Sequence, residues 1–269
     1  MMTRRTNWWF AMRDRFLFVR VNDRAVSEVV GFILVFSIVL ATITIVYVGG
    51  FSGLTETRDA EQMNNAERAF DVFANNVDEM ARNQAPTRAT EIKLSDARLS
   101  TTSHKSVSTN ATWFDGPHTA GPVGLVYDAG TDTQIVYEHG AVIRVDPGGA
   151  VMLREPDFIF DERYVVIRYI ETRGADQTVQ GSTTVLVRSE RTDVRLLASE
   201  STPVSNNVTF RIETDEERAE IWKQYLDSEI HWETDSCDIE EENEVVCEFE
   251  IDEDSSVHIS RTRIRLQFA

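Results

Sequence analysis

Two cysteines, five histidines and one dense run of carboxylates are the side chains here that could cross-link the chain, move protons or hold a metal. Cys237 and Cys247 are separated by nine residues, which fits neither a CxxC redox pair nor a paired-cysteine zinc site. They flank an acidic turn between two strand-like runs. For an exported chain an even cysteine count predicts a disulfide, here one closing a hairpin. His104, His118, His139, His231 and His258 include no i, i+4 pair of the kind that holds zinc on a helix, and each reads as a surface or strand residue. The segment 235–254, DSCDIEEENEVVCEFEIDED, offers Asp238, Glu240, Glu241, Glu242 and Glu244 as oxygen ligands of the type calcium takes. It lacks the EF-hand spacing and glycine, and reads as a solvated hairpin tip. There is no G-x-S-x-G, no P-loop and no G-x-G-x-x-G after a strand. These residues predict no catalytic site, no cofactor and no metal, so a non-enzyme is expected. Asn110-Ala111-Thr112 and Asn207-Val208-Thr209 are N-x-[ST] sequons, and Asn110 and Asn207 are glycosylation candidates if the chain is exported.

Export is indicated by residues 29–55, VVGFILVFSIVLATITIVYVGGFSGLT, which carry no charged side chain. About 20 apolar residues cross a bilayer as a helix. Arg4, Arg5, Arg13, Arg15, Arg20 and Arg24 precede the run, and a mixed, then acidic, flank follows it. The positive-inside rule keeps 1–25 in the cytoplasm and sends the larger part outward. The run is too long for an ordinary secretory signal peptide.

The residues just before it, Asp23-Arg24-Ala25-Val26-Ser27-Glu28, place charges and a small residue ahead of an apolar helix. RAVSEVVGFILVFSIVLATITIV resembles the N-terminus of haloarchaeal type IV pilins and pilin-like proteins with a class III (prepilin) signal. The resemblance spans roughly residues 23–51. It implies cleavage by a prepilin peptidase between Ala25 and Val26, with Arg24, Ala25 and Val26 as the processing residues. The apolar helix then stays on the mature protein and packs with other pilin-like subunits. Two departures stand out. The common haloarchaeal string has proline where this chain has Glu28, and bacterial pilins carry a glutamate at the fifth mature position, whereas Glu28 is third. The leader is long for the class, and Met12 is an alternative start. The competing reading of the same residues is an uncleaved signal anchor.

These elements imply a layout for the rest. Met63, Ala66, Phe70, Phe73, Val77 and Met80 recur at steps of three and four, one apolar stripe on a helix. With the span this makes a helix over 26–84, closed by Asn83-Gln84-Ala85-Pro86. At ~1.5 Å per residue it reaches roughly 85 Å if unbroken. Gly49-Gly50 marks a candidate break, and Gly49 and Gly53 form a GxxxG that reads either as a packing face or as a hinge. The stripe is expected to be the core face of the head. Residues 90–213 read as strands: IKLSDARLS, VGLVYDA, TQIVYEH, AVIRVD, RYVVIRYIETR, STTVLVRSERTDVRLL and NVTFRIE, with a turn at Asp146-Pro147-Gly148-Gly149. Thr214 and Glu217 have the spacing of a capping box, opening a helix over about 215–228. IHWETD, VVCEFEI and VHISRTRIRLQF then complete the set. The fold expected is α+β: a leader (1–25), a long N-terminal helix (26–84) and a mainly antiparallel β-rich head (85–269) with one further helix.

The formal net charge is −18, from 27 basic and 45 acidic residues; without the leader's six arginines and two aspartates, residues 26–269 carry 21 against 43, or −22. Such a body repels phosphate, so nucleic acid is not an expected partner. Only three of the basic residues are lysines, Lys93, Lys105 and Lys223. Dense carboxylates with few lysines resemble proteins of salt-loving archaea, where charge keeps a protein hydrated at high salt. The leading expectation is a membrane-stored pilin or pseudopilin subunit, single-pass with its head outside, that enters a surface filament. The alternative is a surface binding module on an uncleaved anchor. A third class, an anchored hydrolase, finds no motif to carry it.

Overall fold

The computed structural model describes residues 23–82, 85–130, 132–161, 163–201, 207–230, 236–252 and 255–269. The basic leader up to Asn22, Asn83-Gln84 and His231 lie outside the described residues. The first element is helix α1 (Asp23–Ala81). The chain divides into two compact units, residues 1–57 and 58–269.

In the first unit, Ser27–Gly50 is a helix with mean hydropathy 2.9, long and apolar enough to cross a membrane. Its side chains are exposed all round; Phe32 is 71% and Ile45 70% accessible. Two of its hydroxyls bond back to the helix. Thr42 and Thr44 hydroxyls donate to the Val39 and Leu40 carbonyls at 2.8 Å, as an apolar surrounding demands. Gly49 and Gly50 do not interrupt α1. Glycine costs a helix only about 1 kcal/mol, which apolar helical neighbours on both sides can overcome.

In the second unit the strands follow in order: β1 (Thr87–Lys93), β2 (Ala97–His104), β3 (Val107–Ala111), β4 (His118–Ala120), β5 (Val123–Asp128), β6 (Gln134–Glu138), β7 (Ala141–Asp146), β8 (Gly149–Arg154), β9 (Ile159–Asp161), β10 (Tyr164–Arg173), β11 (Thr178–Gly181), β12 (Thr184–Ser201) and β13 (Asn207–Glu213). Helix α2 (Glu216–Glu229), β14 (Ser236–Glu240), β15 (Glu244–Glu250) and β16 (Ser256–Phe268) complete it. They form three sheets of order β1-β12-β16-β10-β9, β11-β2-β5-β6-β7-β8 and β14-β15-β13-β3-β4. Among the described residues all pairings are antiparallel except β10 with β16. That parallel pair needs a long crossover, supplied by everything from β11 to β15.

Two cores result. The α1 stripe Met63, Ala66, Phe70, Phe73, Val77 and Met80 is buried, as its spacing predicts, against Ile92, Val187, Ile264, Leu99, Leu125 and Tyr137 of the first two sheets. Phe73 meets Tyr137 edge-on at 5.0 Å. The second core joins all three sheets to α2 around Phe210, Trp222, Phe249 and Ile259. β10 and β16 serve both cores because the pleat alternates. Val165, Ile167, Val257 and Ile259 point into one core, and Ile170, Ile264 and Leu266 into the other.

Several boundaries differ from the sequence reading. α1 ends at Ala81 and Arg82 closes it by donating to Asp78 O. The second compact unit begins at Arg58 and so takes in the end of α1, which supplies seven of the 21 buried residues of its first core. IKLSDARLS is not one strand. β1 and β2 enter different sheets, with Asp96 between them at φ 61. In IHWETD, Ile230 is the C-cap of α2, and residues 231–235 lie outside the described residues. The Thr214 capping box does not form. Asp215 is the N-cap, without a side-chain cap, and the Thr214 hydroxyl is committed elsewhere.

Candidate functional site

The processing residues Arg24, Ala25 and Val26 lie in the first turn of α1, so the Ala25–Val26 bond has helical backbone. Glu28 is exposed and is the second residue of the Ser27–Gly50 span.

The predicted hairpin disulfide is present. Cys237 on β14 stands directly opposite Cys247 on β15, and the two are bonded. The tip beyond them, Glu241-Glu242-Asn243, holds Glu241 at φ 52 and Glu242 at φ 62, both exposed. Glu240 and Glu244 at the tip's base reach Arg211 at 3.1 and 3.3 Å.

The two sequons, 97 positions apart in sequence, are neighbours in space. Asn110 pairs with Thr209 and Ala111 with Val208, and Thr112 N–H donates to Asn207 O at 3.3 Å. The tripeptides thus run antiparallel side by side on β3 and β13. Ala111 and Val208 are buried, while Asn110 and Asn207 are exposed on the opposite face.

The histidines do not converge. His104 Nδ1 lies 2.7 Å from Gly121 O, His258 Nδ1 lies 3.0 Å from Ser199 Oγ, and His118 packs edge-on against Phe114. Among the described residues no group of three or more His, Cys, Asp or Glu is arranged to hold a metal.

His139 is neither a surface nor a regular strand residue. With Gly140 it forms the two-residue β6–β7 turn, at φ 50 and 93, the positive values of a type I′ hairpin. The turn is buried, and it places His139 beside an ionic cluster that sequence reasoning missed. Glu138, 3% exposed, accepts bonds from Arg218 Nε (3.0 Å) and Nη2 (2.9 Å), the Thr214 hydroxyl (2.6 Å) and Trp222 Nε1 (2.8 Å). Burial alone would raise the Glu138 pKa, but the Arg218 charge and these bonds hold it below its ordinary value. Burial pushes His139 down. Its Nε2 bonds Glu213 O at 2.9 Å, and Nδ1 is buried with no hydrogen-bond partner among the described residues. The cluster clamps α2 onto β6 and β13. The signal in the sequence was His-Gly between two strand runs, the I′ pattern with histidine in place of asparagine.

A second group also went unread. On one face of β12, β16 and β10 the register stacks three rows: Arg195, Arg261, Tyr169; Asp193, Arg263, Glu171; and Glu190, Arg265, Arg173. Glu171, 2% exposed, is reached by Arg173 and Arg263 at 2.5 Å and by Arg261 at 3.5 Å. Burial would raise its pKa, and the bonds from Arg263, Arg173 and the Gly121 N–H outweigh it and lower it. Charges alternate with hydrophobic core residues along these strands, so in sequence they read only as a solvated face.

No curated protein and no solved structure matches this chain. A family model described as a family of unknown function, DUF7289, matches residues 24–267, from the last arginine before the apolar span almost to the C-terminus. Span, stripe and head therefore fall together within one family's shared region, and the chain belongs to that family.

Proposed function

We propose that this chain is a pilin-like subunit, stored in the membrane through Ser27–Gly50 and assembled with other copies through that helix. The observation that carries this reading is that α1 holds both a span apolar on every face and the stripe of the head's first core. Gly49 and Gly50 stay helical within α1. A helix apolar all round must be surrounded by lipid or by other helices. Both surroundings are apolar, so little hydrophobic free energy separates storage from assembly, and packing decides between them.

In this reading the prepilin peptidase cuts between Ala25 and Val26, the head lies outside the membrane, and the protein is not an enzyme. Asn110 and Asn207 are exposed acceptors on the exported head, and the acidic, lysine-poor surface suits high salt. The match from Arg24 onward supports treating the helix as part of the mature protein.

The test is to shear cells that produce the protein with its assembly machinery and to determine the mature N-terminus by mass. The expected result is protein beginning at Val26 in the released filament fraction. Phe36→Asp is expected to abolish release while leaving the melting of the head unchanged. Wild-type protein that keeps residue 1 or 12 and stays a detergent-extracted monomer would replace this reading with a surface module on an uncleaved anchor.

A further inference from the structure

The arginine rows are a basic island on an acidic chain. They hold five arginines and three carboxylates, an excess of two positive charges, where the whole protein carries −18. Arg173 and Arg265 stand directly opposite one another on the parallel pair. Their side chains are 48% and 53% exposed. Arg173 is paired with Glu171 at 2.5 Å and Arg265 with Glu190 at 3.2 Å, and each guanidinium has five N–H donors, so both can take a further carboxylate from outside. Beside them lies a shallow hollow of about 410 Å³, lined by Arg173, Gly174, Gln177, Arg265 and Gln267.

The β14–β15 hairpin offers the complementary charge. Asp238, Glu240, Glu241 and Glu242 are exposed, with Glu241 and Glu242 at the tip. β14 is an edge strand, and the disulfide ties the hairpin together just below the tip.

We propose that the arginine face of β12, β16 and β10 docks the acidic β14–β15 tip of a second copy of this chain. Charge complementarity selects this occupant. The face is basic within an acidic protein, and the tip presents adjacent carboxylates that can each take a charged hydrogen bond from Arg173 or Arg265. The two surfaces are different, so the contact is head-to-tail. In a pair one copy keeps its tip free and the other its arginine face, and repetition gives an open chain unless rotation closes it into a ring. This deepens the assembly reading by supplying a contact between heads, but the contact itself does not depend on filament formation.

The test uses full-length protein in lipid vesicles. One variant carries Gln267→Cys beside the arginine face and another carries Asn243→Cys at the tip. The native cysteines are disulfide-bonded and do not react with maleimide. A short bismaleimide should join the two variants when mixed and leave each alone largely monomeric. Arg173→Glu with Arg265→Glu on the first variant should cut the yield about fivefold, as loss of roughly 1 kcal/mol implies. Glu241→Arg with Glu242→Arg on the second should do the same, and mixing the two reversed proteins should restore it. If the arginine reversals unfold the head, as read by circular dichroism, Arg265→Gln alone should still lower the yield about twofold. Yields insensitive to charge, or lost and not restored on mixing, overturn the proposal. Predominant linkage of Gln267→Cys copies to one another also overturns it, because that is face-to-face association. Cross-linking without filaments in cells would count against the assembly reading alone; filaments with charge-insensitive cross-linking would count against this contact alone.

Discussion

Glu138 keeps its charge in the interior because both of its oxygens accept hydrogen bonds, three at Oε1 and one at Oε2. Arg218, Thr214 and Trp222 surround it. Removing one partner of such a pair leaves the other buried and uncompensated, a loss of about 3–5 kcal/mol. Glu138→Gln is therefore expected to lower stability by about that much, measured by denaturant unfolding of the detergent-solubilised protein. The cluster also sets a response to acid. The Glu138 pKa lies below its ordinary 4.5 in the fold, so its contribution is complete above that pH and is lost as pH falls through the folded value. His139 lies below its ordinary 6.5, with Glu138, Arg218 and Glu213 as the charged groups nearby. The folded state holds the neutral ring, so acidification below 6.5 favours the unfolded chain. Two stages of acid destabilisation follow, the first starting near pH 6.5. His139→Asn should remove the first stage alone, since asparagine accepts the positive φ of this turn. An unchanged pH profile would show that His139 does not titrate with unfolding. At the hairpin tip the same conformational argument runs the other way. Glu242 sits at φ 62 without being glycine, and Glu242→Gly should raise stability by about 0.5–1 kcal/mol.

At the scale of elements, α1 and the β3–β13 pair carry the sharpest expectations. Phe73 is fully buried between the helix stripe and Tyr137. Phe73→Ala should cost about 3–5 kcal/mol and release the helix from the head. A protease-resistant head that persists with α1 detached would show that the stripe is not part of the core. On β3 and β13 the two sequon asparagines are diagonal neighbours. Diagonal cross-strand positions lie about 7–8 Å apart, which is close for two glycans leaving one face. Occupancy is expected to be antagonistic: Asn110→Gln should raise glycan occupancy at Asn207, and the reverse, read by intact-protein mass. Equal occupancy in wild type and single variants would show that the sites are independent.

Over the whole molecule, charge governs the response to salt. A body at −22 between residues 26 and 269 repels itself at low ionic strength. At 1 M salt the Debye length is about 3 Å, and the repulsion is largely screened. The melting temperature of the full chain in detergent should therefore fall on dialysis from molar to millimolar salt, and equal values would remove the high-salt interpretation. The sequence by itself determined what depends on composition and period. An uncharged run of helical length has few options apart from a membrane, and a stripe at steps of three and four needs an apolar partner. The α+β order, the α2 segment and the disulfide were legible for the same reason, since each rests on residues close together in the chain. Tertiary structure alone decided the rest. β1 and β2 read as one alternation and joined different sheets, because pairing partners lie far along the chain. Thr214 left the expected cap for a carboxylate 76 positions away. The arginine rows and the abutting sequons exist only through strand register, and register sets distant residues side by side with no trace in local pattern.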